Sequence, residues 1–265
     1  MSSRKRFGQH FLNDHSIVRK IIESARLTGA ETVLEIGPGK GVLTPHLAAL
    51  SKKMIALELD RNLIPRLSEA CAGLQNIEIV QGDALSYDYG AISAPFTVVA
   101  NLPYNVSTPI LLRLNDFRKN ITTMVLMFQK EVANRICANP GQKSYGSLSV
   151  FLQYFHDASP LFDVKRESFS PAPSVESQVI RLIPRKVPPV SVHDEDIFFR
   201  IIKSSFTHKR KTLKNNLATL PISGSVISRV LDECRIDPGR RGETLSMEEF
   251  ARIANFMGKH FPLRV

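Results

Sequence analysis

The chain has 265 residues, 43% of them hydrophobic, and a formal net charge of +10, so it fits one large domain or two smaller ones with a sizeable core. Such positive charge points to a polyanionic partner, nucleic acid first and an anionic membrane second, although no long basic amphipathic anchor accompanies it. Three scattered cysteines (Cys71, Cys137, Cys234) form neither a disulfide framework nor a zinc spacing, no apolar run reaches membrane-spanning length, and the charged N-terminus lacks a secretory apolar region; together these lead us to expect a cytoplasmic chain with no metal and no membrane.

The N-terminal tail is basic first and aromatic second: Arg4, Lys5 and Arg6 precede Phe7, His10 and Phe11. Cations suit phosphates and rings suit bases, so the tail is a candidate RNA contact. A lone histidine such as His10 is not a metal site. A helix follows from Ser16, the expected N-cap, with the stripe Ile17, Val18, Ile21, Ile22 and Ala25.

Next comes a strand, Thr32–Ile36, that runs into Gly37-Pro38-Gly39-Lys40-Gly41 and a helix start. Glycines let a ligand approach the backbone, and a helix N-terminus attracts anionic groups. The turn has no Gly-Lys-Ser/Thr, so it is not a P-loop. A second strand, 54–57, ends in Glu58, an acid able to take both hydroxyls of a ribose, in NAD or in S-adenosylmethionine. A third, 77–80, leads to Gly82-Asp83-Ala84, where an acid can accept from an adenine amino group.

The fourth strand, 97–100, ends in Asn101-Leu102-Pro103-Tyr104. The Asn101 side-chain carbonyl can accept a hydrogen bond from an exocyclic amine, and the carbonyls of Leu102 and Pro103 add acceptors. Tyr104 offers a flat face for a planar base. Open α/β sheets bind ligands at the carboxyl ends of their strands. Gly37, Glu58, Asp83 and Asn101 therefore fall in order across one crevice, at the amino-acid end, the ribose, the adenine and the reacting methyl. That is the layout of a Rossmann-like class I methyltransferase with S-adenosylmethionine as cofactor, an α/β fold.

Further on, 124–128 reads as a buried strand and Gln129–Ala133 as a helix start. Asn139-Pro140-Gly141 is a loop, and the apolar run Leu148–Phe155 reads as a strand. The prolines around Phe169 stiffen that loop, and Glu176–Ile183 is a last strand. Pro184–Pro189 reads as a linker, so the expected domains are 1–186 and 187–265. The second is helical, its first helix capped by His193, Asp194 or Asp196 and its last following Ser246. Lys209, Arg210 and Lys211 cluster at a turn and helix start, where RNA phosphates can dock, and Arg240-Arg241 adds a second basic spot.

Three segments together, Glu35–Gly41, Gly82-Asp83-Ala84 and Asn101–Asn105, resemble the ribosomal RNA adenine N6,N6-dimethyltransferase family, above all its small-subunit branch. Arg6–Leu12 resembles that family's opening motif, departing from it at His10, where Asn is usual; an imidazole keeps a hydrogen-bonding nitrogen. The resemblance covers nearly the whole chain. It implies cofactor contacts from His10, Leu12, Gly37, Glu58, Asp83, Ala84 and Asn101, a small helical C-terminal domain that contacts RNA or the ribosome, and a target of two adjacent adenosines in the terminal hairpin loop of small-subunit RNA, within a partly assembled subunit. The target base must leave its stack, which gives Tyr104 and Phe169 as its two stacking faces beside Asn101, Leu102 and Pro103. The alternatives are a large-subunit RNA methyltransferase of the macrolide-resistance type, a non-catalytic RNA-binding assembly factor and an NAD oxidoreductase; the last finds no hydride-transfer partner in Asn-Leu-Pro-Tyr.

Overall fold

The computed structural model describes residues 10–93 and 95–261, so Arg4, Lys5 and Arg6 lie outside the described residues. The chain divides into two compact units. One runs through Ala133 and resumes at Asp157–Pro184; the other takes Asn134–His156 and continues from Arg185.

The first unit opens with a short strand β1 (Phe11–Leu12) and helix α1 (His15–Ala25). The cap of α1 is Asp14, not Ser16. The Asp14 carboxylate accepts from the Ser16 backbone at 2.9 Å and from the Ser16 hydroxyl at 2.6 Å. A carboxylate ahead of the first turn satisfies two donors at once, and Ser16 becomes one of the groups being capped. Four parallel strands follow: β2 (Thr32–Ile36), β3 (Lys53–Glu58), β4 (Ile77–Gln81) and β5 (Phe96–Asn101). Helices α2 (Thr44–Ala49), α3 (Ile64–Ala70) and α4 (Ser107–Asp116) separate them or follow them. Strand β6 (Ile121–Gln129) is parallel to β5, and β9 (Ser177–Pro184) returns antiparallel to β6. With β7 (His156–Val164) the order across the seven-stranded sheet is β4-β3-β2-β5-β6-β9-β7.

The order reverses direction at β2, between β3 and β5, and such a switch point opens a crevice outside the strand tips. The parallel strands read as nearly unbroken apolar runs because both their faces are covered. Strand β8 (Phe169–Ser170) pairs antiparallel with β1, setting Leu12 opposite Phe169. Both residues are buried in a core shared with Val18, Ile21, Val99 and Val179.

In the second unit, helix α5 (Lys130–Cys137) begins before the unit boundary and α6 (Ser147–Phe155) lies inside it. The run expected as a strand at Leu148–Phe155 is thus a helix. Its Val150, Leu152, Tyr154 and Phe155 are all buried, so the run is apolar on more than one face and its periodicity decides nothing. Helix packing settles it: Tyr154 meets Phe198 at 5.2 Å between ring centroids, and Phe151 meets Phe199 at 5.1 Å. Those rings sit on α7 (Glu195–Ser205), capped by Asp194, which accepts from Ile197 N–H. Helices α8 (Leu213–Leu217), α9 (Gly224–Glu233) and α10 (Met247–His260) complete the unit, the last with a capping box from Ser246 and Glu249. This shared core explains why residues 134–156 group with the C-terminal helices, a segment that the sequence boundary at 186 leaves in the first domain.

Candidate active site

Five parallel strands point their carboxyl ends at one edge of the first unit, and two adjoining cavities open there. The first is lined by His10, Phe11, Leu12, Glu35, Gly37–Leu43, Glu58 and Asn101–Tyr104, omitting Gly41. The second is lined by Glu58–Asp60, Gly82–Ala84, Pro103, Asn105, Val106 and Ile110, among others. Gly37, Glu58 and Pro103 belong to both, so they form the shared wall of one crevice.

The glycine turn shapes this wall. Gly37 has φ +69° and donates its N–H to the Leu57 carbonyl at 2.9 Å. Gly39 has φ +60°, and a Cβ there would come within 3.2 Å of the Phe11 ring. Any side chain would be strained by the left-handed backbone and would crowd the Phe11 ring that lines the cavity. Lys40 lies over that ring, its Nζ 4.4 Å from the centroid.

Glu58, 4% exposed, is held by two backbone donors: Gly39 N–H at 2.9 Å and Asp60 N–H at 2.8 Å. Burial raises its pKa above the usual carboxylate range, and the two N–H groups pull the other way. Each carboxylate oxygen keeps acceptor capacity, so a vicinal diol can still be bound.

Glu35 has no assigned role in the sequence reading, yet the structure places it in the crevice wall. It sits in the middle of the apolar strand β2, 2% exposed, and burial pushes its pKa up to about 8, with the Glu58 charge adding to the rise. The nearby Thr44 hydroxyl pulls the other way, yet Glu35 Oε2 is buried with no hydrogen-bond partner of good geometry among the described residues. A buried carboxyl oxygen without a donor, lining a cavity, is suited to a cationic or N–H-bearing ligand group. The sequence signal was available, because an acid inside an apolar parallel strand is rare unless it is paired.

Asn101 ends β5, half-buried, opposite Met127 of β6. Leu102 is buried, and the Pro103 carbonyl accepts Val106 N–H at 3.2 Å. Tyr104 is fixed at both ends. Its carbonyl accepts from Ser107 Oγ at 3.1 Å, and its hydroxyl lies 2.5 Å from Ser177 Oγ. Burial raises the phenol pKa, so it stays neutral. Ser177, fully buried on β9, is a second residue that the sequence reading left without a role, and nothing in the chain's pattern marks it out. The end of its strand is fastened by Lys130, whose Nζ bridges Glu176 at 2.9 Å and Asp163 at 2.8 Å.

The aromatic partner of Tyr104 differs from the expectation. Phe169 is 4% exposed in the core beside Leu12 and is absent from the lining of both cavities, because its strand pairs with β1 and turns the ring inward. The ring that faces Tyr104 is His10, 5.8 Å away at 27°. A carbonyl only accepts, so His10 Nδ1 carries the hydrogen that binds Pro171 O at 2.8 Å. Leu12 also lines the cavity, whereas Asp83 and Ala84 line the second one, Asp83 with Oδ1 bonded to Leu85 N–H at 2.9 Å. Lys209, Arg210 and Lys211 are exposed in the other unit.

Among the described residues no group of His, Cys, Asp and Glu is placed to hold a metal ion, and no helix is long and apolar enough to cross a membrane.

Known proteins resemble this chain over nearly its whole length. A chain from Geobacillus sp. (strain WCH70), "Ribosomal RNA small subunit methyltransferase A", is 48% identical over 96% of this chain and 91% of its own length. Its namesake from Pelotomaculum thermopropionicum is 46% identical, with the same two coverages. The solved dimethyladenosine transferase from Plasmodium falciparum superposes with a TM-score of 0.83 at 29% identity, covering 94% of this chain and 98% of that one. The 23S rRNA methyltransferase ErmE gives 0.75 at 26%, covering 92% and 98%. Glu35 with its open oxygen, Glu58 beside the glycine turn and Asp83 with Ala84 suit the amine, the diol and the base of S-adenosylmethionine, the cofactor of these enzymes. The family profile described as "Ribosomal RNA adenine dimethylase" matches residues 1–259, and the chain belongs to that family as an S-adenosylmethionine-dependent methyltransferase.

Proposed function

We propose that this enzyme dimethylates N6 of two adjacent adenosines in the 3′-terminal hairpin loop of small-subunit ribosomal RNA, acting in the cytoplasm on a partly assembled small subunit. The observation that carries the reading is one cavity wall made jointly of Gly37, Glu58 and Asn101–Tyr104, which sets an amide and an aromatic face beside a cofactor-shaped crevice. The relatives named for the small subunit support that choice of RNA over the large-subunit alternative.

Bound S-adenosylmethionine supplies an electrophilic methyl and a neutral thioether leaving group. The protein's task is to position an adenine N6, a poor nucleophile because its lone pair is delocalised into the ring. The Asn101 side-chain carbonyl accepts one N6–H, and the remaining lone pair of the Pro103 carbonyl, or the Leu102 carbonyl, accepts the other. Two acceptors favour a pyramidal nitrogen with its lone pair free. The Tyr104 ring stacks on the base, and its neutral, anchored hydroxyl takes no proton. No strong base is required, because N6 becomes acidic only after it gains the methyl and then releases its proton to water. Orientation of this kind accounts for about 7–11 kcal/mol of a barrier in favourable cases.

Transfer of tritium from labelled cofactor separates the readings. Label in small-subunit particles, appearing as dimethyladenosine, is the expected result. Label in large-subunit RNA, or in neither, overturns it.

A further inference from the structure

We infer that Lys40 is the partner of the cofactor's carboxylate, and that Phe11 is the residue that positions its ammonium. The inference rests on the family's cofactor, S-adenosylmethionine, and not on which RNA receives the methyl. The amine, the diol and the base of that molecule have partners in Glu35, Glu58 and Asp83 with Ala84. Its carboxylate has none so far.

The charge of the crevice makes that gap matter. Among the described residues that line the two cavities, Glu35, Glu58, Asp60 and Asp83 are acids, and Lys40 is the one lysine or arginine. Acids suit a sulfonium and an ammonium, but they repel a carboxylate unless a cation answers it. Backbone N–H groups of a glycine turn can also hold an anion. Here the glycines spend theirs on the protein. Gly37 N–H donates to the Leu57 carbonyl at 2.9 Å, Gly39 N–H to Glu58 Oε2 at 2.9 Å, and Gly41 N–H to the Pro38 carbonyl at 3.0 Å. His10, the other basic side chain on the lining, commits Nδ1 to Pro171 O and lies against Tyr104 at the far end. Lys40 makes no ion pair among the described residues, so its charge is available to an incoming anion.

A lysine on a turn normally wanders, and fixing it costs side-chain entropy. Lys40 is half-buried, and its Nζ already rests over the face of Phe11 at 4.4 Å from the ring centroid. That ring is itself fixed. Its backbone pairs with Ser170 through β1 and β8, and it lies so close to Gly39 that a Cβ there would come within 3.2 Å of it. Phe11 therefore holds the ammonium at the cavity before the ligand arrives, which lowers the ordering cost of binding.

The test is isothermal titration of the full chain with S-adenosylmethionine and with its decarboxylated form, which keeps the amine, the sulfonium, the ribose and the adenine. Wild type should prefer the carboxylate-bearing ligand by about 10-fold or more, the worth of a charge-assisted hydrogen bond. Lys40→Met keeps an unbranched apolar chain over the ring. It should raise the Kd for S-adenosylmethionine by about 10-fold or more and leave that of the decarboxylated form within about 2-fold, so that the preference disappears. Phe11→Leu should shrink the preference a few-fold, and should shrink it no further once Lys40 is already Met. Equal losses for both ligands in Lys40→Met, or no loss for either, leave Lys40 a support of the Phe11 ring and overturn the inference. A wild type that binds both ligands alike overturns it as well. A full preference in Phe11→Leu, or equal losses for both ligands there, overturns the positioning role of Phe11. Methylation of a different RNA would be the separate failure of the proposed function and would leave these affinities as they are.

Discussion

Glu35 and Glu58 lie 2% and 4% exposed among apolar strands, while Lys209, Arg210 and Lys211 stand in solvent on a turn pinned from beneath. The crevice places few groups and desolvates them, so each interaction is strong and sensitive to geometry. The basic turn places many groups and leaves them hydrated, so each is weak, screened by salt and roughly interchangeable. Single substitutions should therefore be severe in the first region and mild in the second. In the turn, only Asn216, buried beneath it, should behave like a crevice residue.

The largest effect is expected at Asn101. Asn101→Ala removes the acceptor for N6 but leaves Gly37 and Glu58 in place, so kcat should fall by about 10²-fold or more while cofactor affinity stays near wild type. Equal losses in both, measured by single-turnover rates and equilibrium binding, would make Asn101 a cofactor ligand only. Glu58→Ala comes next and works the other way. Losing a charge-assisted contact to the ribose is worth about 1.5–3 kcal/mol, so the cofactor Kd should rise ~10–100-fold with the chemical step less affected. Isothermal titration of the free enzyme checks this.

Much of the crevice was legible in the sequence because strands, unlike loops, fix where their ends point. An apolar run that stops at Gly37, Glu58 or Asn101 puts that residue at a strand tip, whatever else the chain does. Three things were hidden, each for its own reason. Leu148–Phe155 is apolar on more than one face, and only its packing on the α7 rings decides between helix and strand. Phe169 sits where prolines suggested a presented ring, but its pairing with Leu12, 157 positions earlier, buries it, and no local pattern carries that contact. Ser177 and Asn216 are small polar residues whose roles arise from partners 73 and 11 positions away.

Glu35 gives an effect of intermediate size with a definite sign. Its pKa in the fold, about 8, lies above the ordinary carboxylate value of 4.5, so the folded state binds more protons between those limits. Stability of the free enzyme should then fall as pH rises from about 4.5 to 8, by on the order of 1 kcal/mol per pH unit from this group, and level off above. Glu35→Gln should flatten that fall in thermal melts. A cationic amine bound beside Glu35 favours the ionised carboxylate, so cofactor binding near neutral pH should release protons. Titrations in buffers of different ionisation enthalpy should detect the release in wild type and find it reduced in Glu35→Gln. An unchanged release would place the cofactor amine elsewhere.

The smallest effect separates the ring of Tyr104 from its hydroxyl. The phenol is bonded to buried Ser177 and stays neutral, so Tyr104→Phe keeps the stacking face and loses only the anchor. We expect a few-fold drop in kcat. Ser177→Ala leaves the phenol buried without a partner and should cost about 1–3 kcal/mol of stability, with a similar small loss of rate. Because both changes cut the same bond, the double variant should be no slower than the worse single, a coupling of roughly 1 kcal/mol. The second methylation should suffer more than the first, since the base must then be held with a methyl already on N6 and little freedom in the ring. The ratio of monomethyl- to dimethyladenosine should therefore rise in both single variants and rise no further in the double. Additive rate losses with an unchanged product ratio would mean that the hydroxyl bond supports the fold alone and that the ring keeps its place without it.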